Sequence, residues 1–77
     1  MMTFSPSQLK AARELLGWSK IQLALQSGVG SFVIDKFERG ERTLHPGSFD
    51  ALRDTLEAAG VEMIEGVAPS VRLRKSK

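Results

Sequence analysis

Residues 18–40 constrain the fold of this chain most, because they read as two short helices joined by a tight turn. Ser19 is placed to cap the first of these helices, from about residue 20 to 26. Gly28 can adopt the positive φ that ends a helix without strain, and Val29 is the apolar residue that anchors the turn in a core. The second helix is predicted over residues 31–39, with a closing glycine after it. The pattern predicts a helix-turn-helix.

Two further helices flank this segment. Before it, Ser5, Pro6 and Gln8 form the start signal of a helix, with a capping box and a proline at the first helical position, and Gly17 ends it. After it, a helix is predicted over about residues 47–59, opened by a proline and ended by a glycine. The apolar residues available for the core, helix by helix, are Leu9, Ala12, Leu15 and Leu16; Ile21, Ala24 and Leu25; Ile34 and Phe37; and Phe49, Leu52, Leu56 and Ala59.

The period of the apolar pattern changes after residue 60. Residues 61–65 and 71–75 alternate as strands do, with a loop of five residues between them. A lone hairpin is only marginally stable, so it must pack on the helices, pair with a partner, or both. We predict a mainly α fold of four short helices with a small C-terminal strand pair, organised as a helix-turn-helix domain (1–60) and a strand extension with a basic tail (61–77). A homodimer interface is expected at the apolar residues of that extension, Val61, Met63, Ile64 and Leu73.

The composition argues against enzymatic chemistry. The chain has no cysteine and a single histidine, which removes thiolate and most histidine metal sites. It shows no paired carboxylates, no nucleophile–base set and no glycine-rich phosphate loop. We therefore expect no catalytic activity, no metal, no cofactor and no small-molecule substrate. The absence of an apolar run of about 20 residues or of a signal-peptide pattern predicts a soluble, cytoplasmic protein without a membrane partner.

Charge is distributed unevenly along the chain. The net charge is +2, but residues 70–77 contain four basic residues and no acid, while the rest holds seven basic and nine acidic residues. A DNA-binding domain normally presents a basic face. In the body of this chain such a face must come from the arrangement of the charges.

Residues 5–60 resemble the phage-repressor (Cro-type) helix-turn-helix family of transcriptional regulators, also called the XRE family. The residues that carry the resemblance are LKAARELLGWS at 9–19, Gln22 to Ala24, Ser27 to Val29, and IDKFERG at 34–40. The resemblance implies a dimer that reads a two-fold operator in double-stranded DNA. It also implies a structural ion pair between Arg13 and Glu38.

The same resemblance assigns the residues that would meet DNA. Those expected to face the bases are Ser31, Phe32, Asp35 and Lys36. Those expected to contact phosphates are Lys20, Arg39, Arg42 and Thr43. The function expected is a sequence-specific DNA-binding regulator, a repressor that acts as a homodimer.

The readout helix departs from the family pattern. It lacks the Arg, Asn and Gln side chains that make the strongest base contacts, and it carries an aromatic residue, Phe32, on the outer side. An exposed aromatic often marks a protein interface. The alternative function is therefore a protein-binding module of the same fold, an antiactivator or an antitoxin subunit, whose partner is an activator or a toxin.

Overall fold

The computed structural model describes residues 4–64 and 70–73, and side chains over residues 4–62. Within these ranges the elements are α1 (Pro6–Leu16), α2 (Lys20–Ser27), α3 (Ser31–Glu38), α4 (Pro46–Ala58), β1 (Val61–Ile64) and β2 (Ser70–Leu73). The predicted class is confirmed: four short helices are followed by a small strand pair. In this part of the chain, every helix is too short or too polar to cross a membrane.

A serine caps the start of α1 and of α2, and a glycine ends each helix. Ser5 Oγ accepts a hydrogen bond from the backbone N–H of Gln8 at 3.1 Å, and Gln8 Oε1 accepts one from the N–H of Ser5 at 2.9 Å. This is the predicted capping box. Ser19 Oγ accepts from the N–H of Gln22 at 3.0 Å at the start of α2. Gly28 ends α2 with a φ of +81°, a left-handed conformation that strains any residue with a Cβ atom.

One apolar core joins the N-terminal segment, all four helices and β1. At its centre lie the rings of Phe4, Phe37 and Phe49, packed edge to face with centroids 5.0 to 5.9 Å apart. Such edge-to-face contacts are favoured because the positive ring edge meets the negative ring face. The large side chains that are fully buried around the aromatic centre are Leu9, Leu23, Ile34, Leu52, Leu56 and Val61.

The inner face of α2 differs from the prediction. Leu23 is fully buried and Ala24 packs against the core, but Ile21 and Leu25 are 64% and 80% exposed. Assigning Ile21 and Leu25 to the core was therefore wrong. Successive helical residues turn by about 100°, so residues 21 and 25 share one face and residue 23 lies opposite. Leu15 on α1 is also exposed.

The two strands form an antiparallel pair packed against the helices. Val61 pairs with Leu73 and Ile64 with Ser70; β1 contacts α1 and α4, and β2 contacts α1. Val61 is fully buried in the core of its own chain, so it offers no side-chain surface to a partner, which corrects its assignment to the dimer interface. The side chains of Met63, Ile64 and Leu73, and the predicted strand residues 65, 74 and 75, lie outside the described residues.

Candidate functional site

A partly buried ion pair holds the end of α3 against α1. Arg13 Nε and Nη2 donate hydrogen bonds of 2.9 and 2.8 Å to the two carboxylate oxygens of Glu38. Arg13 Nη1 also donates to the backbone carbonyl of Trp18 at 3.0 Å. The side chains of Arg13 and Glu38 are 12% and 3% exposed, and the hydrogen bonds that Arg13 donates to Glu38 raise the pKa of Arg13 despite the opposing effect of burial. The predicted structural pair is confirmed, and neither residue is free to bind a ligand.

The outer side of α3 faces a shallow groove shared with α2. Ser31, Phe32 and Asp35 line this groove together with Lys20 and Ile21, and it has a volume of about 660 Å³. The structure therefore brings together three of the four residues predicted to face bases and one predicted to bind phosphate. We call this the α2–α3 groove.

Asp35 is the electrostatic centre of the groove. Its Oδ1 accepts a hydrogen bond from Lys20 Nζ at 2.6 Å, and its Oδ2 lies 3.1 Å from Arg39 Nε. The hydrogen bond from Lys20, and to a smaller degree the charge of Arg39, lowers the pKa of the Asp35 carboxyl. Two cations predicted to bind phosphates are therefore neutralised in part by one carboxylate from α3.

The sequence contained a signal for only half of this cluster. Asp35 and Arg39 are four residues apart on a helix, a spacing that places opposite charges side by side. Lys20 belongs to α2, and no local pattern shows that its side chain reaches Asp35. The cluster depends on how α2 and α3 pack.

Lys36, the fourth residue predicted to face bases, is also engaged within the chain. Its Nζ lies 2.9 Å from Glu41 Oε1 and 5.4 Å from the centre of the Phe32 ring. The ammonium group is thus held between a carboxylate and an aromatic face, an arrangement that stabilises a cation.

The loop between α3 and α4 supplies an unneutralised cation. Arg42 and Thr43 are exposed there, and Arg42 forms no ion pair with another described residue. Apart from Glu38, which is paired with Arg13, the charged residues from α2 to this loop are the cations Lys20, Lys36, Arg39 and Arg42 and the carboxylates Asp35 and Glu41. This segment therefore has excess positive charge, whereas α4 carries three acidic residues and one arginine.

Apolar side chains border the groove. Phe32 is 66% exposed, and it lines the groove together with the exposed Ile21. Leu25 follows Ile21 by one helical turn and is exposed on the same side of α2. We call these three residues the apolar strip. Large exposed apolar patches mark interaction sites, so these three side chains are candidates for contact with a partner.

No cluster of three or more His, Asp or Glu side chains suited to a metal ion occurs among the described residues. No protein-family model matches the chain, and a search of curated proteins found no match. Its function is therefore inferred from the shape and charge of the α2–α3 surface.

Proposed function

We propose that this protein is a DNA-binding transcriptional regulator, a repressor of the phage-repressor type that acts as a homodimer on a two-fold operator. The observation that carries the proposal is the position of α3. This helix is exposed along one side, it is anchored at its end by the Arg13–Glu38 pair, and the cations Lys20, Arg39 and Arg42 flank it. The major groove of B-DNA is about 12 Å wide and admits such a helix.

The mechanism follows from these positions. Lys20, Arg39 and Arg42 contact phosphates and set the register of the domain on the duplex, which by itself confers no sequence preference. Phe32 then meets a thymine methyl group, and Lys36 donates to the O6 and N7 atoms of guanine after leaving Glu41. Occupation of an operator near a promoter blocks RNA polymerase sterically.

A dimer would bring two α3 helices to successive major grooves, about 34 Å apart. The apolar stripe of α4 is buried within its own chain, so it does not supply the interface. We assign dimerisation to the two-stranded sheet. Among the described residues, each of its strands has one edge without a strand partner. Sedimentation equilibrium at tens of micromolar, well above a Kd of about 1 μM, should show a dimer. A stable monomer would contradict this assignment.

The direct test of DNA binding is a mobility-shift titration with the DNA upstream of the protein's own coding sequence. We expect a retarded complex at about 50 mM salt, with an affinity that falls steeply as salt increases, because each phosphate contact releases condensed counterions. The triple variant Lys20→Gln, Arg39→Gln, Arg42→Gln should lose this complex. Lys10→Gln on the exposed side of α1 is the single-site control. Absence of any complex at low salt would overturn the proposal.

The apolar strip favours a second candidate function, that of a protein-binding module such as an antiactivator or an antitoxin subunit. Ile21, Leu25 and Phe32 are exposed apolar side chains, and phosphate binding has no use for them. This function predicts that affinity purification from the native cell recovers one stoichiometric protein, lost with Phe32→Ala and retained with Leu15→Ala, which removes an exposed leucine from α1. Recovery of DNA without a protein would contradict it.

A further inference from the structure

The charge cluster at Asp35 suggests how this surface distinguishes one DNA sequence from another. We propose that Asp35 is a specificity-determining residue. In the free protein its carboxylate neutralises Lys20 and Arg39. In the complex the protein binds well only to sites that place a base amino group opposite this carboxylate. The inference rests on the proposed DNA-binding function and deepens it.

The first step concerns the free protein. Asp35 holds both cations at once, Lys20 at 2.6 Å and Arg39 at 3.1 Å, through different oxygens of one carboxylate. All three side chains retain solvent access, so the contacts can open. A phosphate that approaches either cation must compete with Asp35 for it. The domain is therefore a weaker general binder of DNA than its number of cations suggests.

The second step concerns the complex. When Lys20 and Arg39 turn to phosphates, the Asp35 carboxylate remains on the readout side of α3 without its cations and close to the negatively charged backbone. Such a charge is unfavourable unless a donor replaces the lost hydrogen bonds. In the major groove the available base donors are the amino groups of cytosine and adenine. A site with such a base opposite Asp35 is accepted, and a site with guanine or thymine there is rejected.

The test compares wild-type protein with Asp35→Asn on a random-sequence duplex over a salt series. Asn keeps the shape of the side chain and removes the charge. Two exposed ion pairs are lost, so we expect random DNA to be bound about tenfold more tightly at low salt. The slope of log K against log salt should steepen by up to about 1.8, because each added phosphate contact contributes about 0.9.

The matched control is Asp54→Asn, which changes the net charge equally on an exposed position of α4. Its affinity for random DNA should change by less than that of Asp35→Asn. A double-mutant cycle with Lys20→Gln tests whether Asp35 acts through Lys20. The gain in DNA affinity from Asp35→Asn should be smaller when Lys20 is replaced. Circular dichroism and thermal melting establish that each variant is folded.

Selection of preferred sites from a random library completes the experiment. Wild-type sites should contain cytosine or adenine at one position of each half-site, and Asp35→Asn should lose that preference. If the wild type binds DNA but Asp35→Asn gains no more than Asp54→Asn, the role of Asp35 is overturned while DNA binding stands. If no variant binds DNA at low salt, the proposed function and this inference both fail.

Discussion

Arg13 on α1 and Glu38 at the end of α3 are joined by two parallel hydrogen bonds of 2.9 and 2.8 Å, and the same guanidinium binds the Trp18 carbonyl. One side chain therefore connects α1, the α1–α2 turn and α3. Helix α3 is positioned from outside the α2–turn–α3 unit, because α1 provides the arginine that fixes its C-terminal end.

Loss of this pair should destabilise the fold strongly. Glu38→Gln leaves the arginine charge partly buried without its counter-charge, and we expect a cost of about 3 kcal/mol. Each kcal/mol lowers the melting temperature of a domain this small by roughly 4–8 °C. Glu41→Gln, which breaks the exposed pair with Lys36, should cost about 1 kcal/mol or less. Thermal melting followed by circular dichroism measures both variants, and equal losses would contradict the structural role of Glu38.

The two leucines of α2 should behave differently although they are two residues apart. Leu23→Ala opens a cavity at a fully buried site and should lower the free energy of unfolding by about 2–5 kcal/mol. Leu25→Ala removes a side chain that is 80% exposed and should change it by about 0.5 kcal/mol or less. Urea denaturation gives both values. A large loss for Leu25→Ala would mean that this leucine is covered in solution, as in a protein complex or dimer.

Two glycine-to-alanine changes should have opposite signs. Gly28 has a φ of +81°, so alanine there should cost about 1–2 kcal/mol through backbone strain alone. Gly47 lies in the first turn of α4, where alanine should stabilise by up to about 1 kcal/mol because it restricts the unfolded chain. A Cβ atom built at either position has no tertiary neighbour within 4 Å, so steric clashes do not contribute to the difference in stability between the two variants. The variants are compared by denaturant midpoint.

The contribution of the Asp35 cluster to folding stability should decrease as the pH is lowered. Lys20 and Arg39 lower the pKa of Asp35 below its usual 3.8, so the native state favours the ionised carboxylate. The stabilisation is present above that value and is lost as the pH falls through the lower, folded-state pKa. Wild type should therefore melt above Asp35→Asn near neutral pH, and the difference should shrink as the pH falls below 3.8. A difference that grows on acidification would contradict the assignment of these partners.

Arg42 should contribute to DNA affinity without affecting stability. It is exposed, and it forms no ion pair with the described residues. Arg42→Ala should reduce the salt slope of binding by about 0.9 and weaken binding about equally on all sequences. Lys10→Ala on α1 removes the same charge away from the proposed surface and should leave the slope unchanged. Mobility shifts or fluorescence anisotropy over a salt series measure the difference.

Much of the fold follows from short-range signals. The capping box at Ser5, the cap at Ser19 and the turn at Gly28 each act over a few residues, and the structure reproduces all three. The core anchors Ile34 and Phe37 of α3 were also predicted correctly, because three-residue spacing on a short helix defines one inner face.

The inner face of α2 could not be predicted in the same way. Apolar side chains lie on two sides of this eight-residue helix, with Leu23 on the side opposite Ile21 and Leu25. The apolar pattern therefore does not define a single inner face, and the contacts with neighbouring elements decide which leucine is buried. The exposed positions of Ile21 and Leu25 are the origin of the apolar strip.

In the candidate site, too, the sequence predicted some features and left the contacts between distant residues undetermined. The residues of α3 expected to face outward were assigned from the family resemblance, but their charge partners were not predicted. Lys20 and Asp35 are 15 residues apart, and their 2.6 Å contact exists only because α2 and α3 pack side by side.

The sequence by itself determined the helices to within about one residue at their ends, the turns and the presence of a strand pair, although β2 begins at Ser70, which was predicted in the loop. Caps, glycines and apolar period act through the nearest few residues. The tertiary structure decided which side of α2 is buried, that Val61 belongs to the core of its own chain, and that Asp35 neutralises two cations. Those outcomes depend on packing and Coulomb interactions between residues distant in the chain, whose strength is set by separation in space.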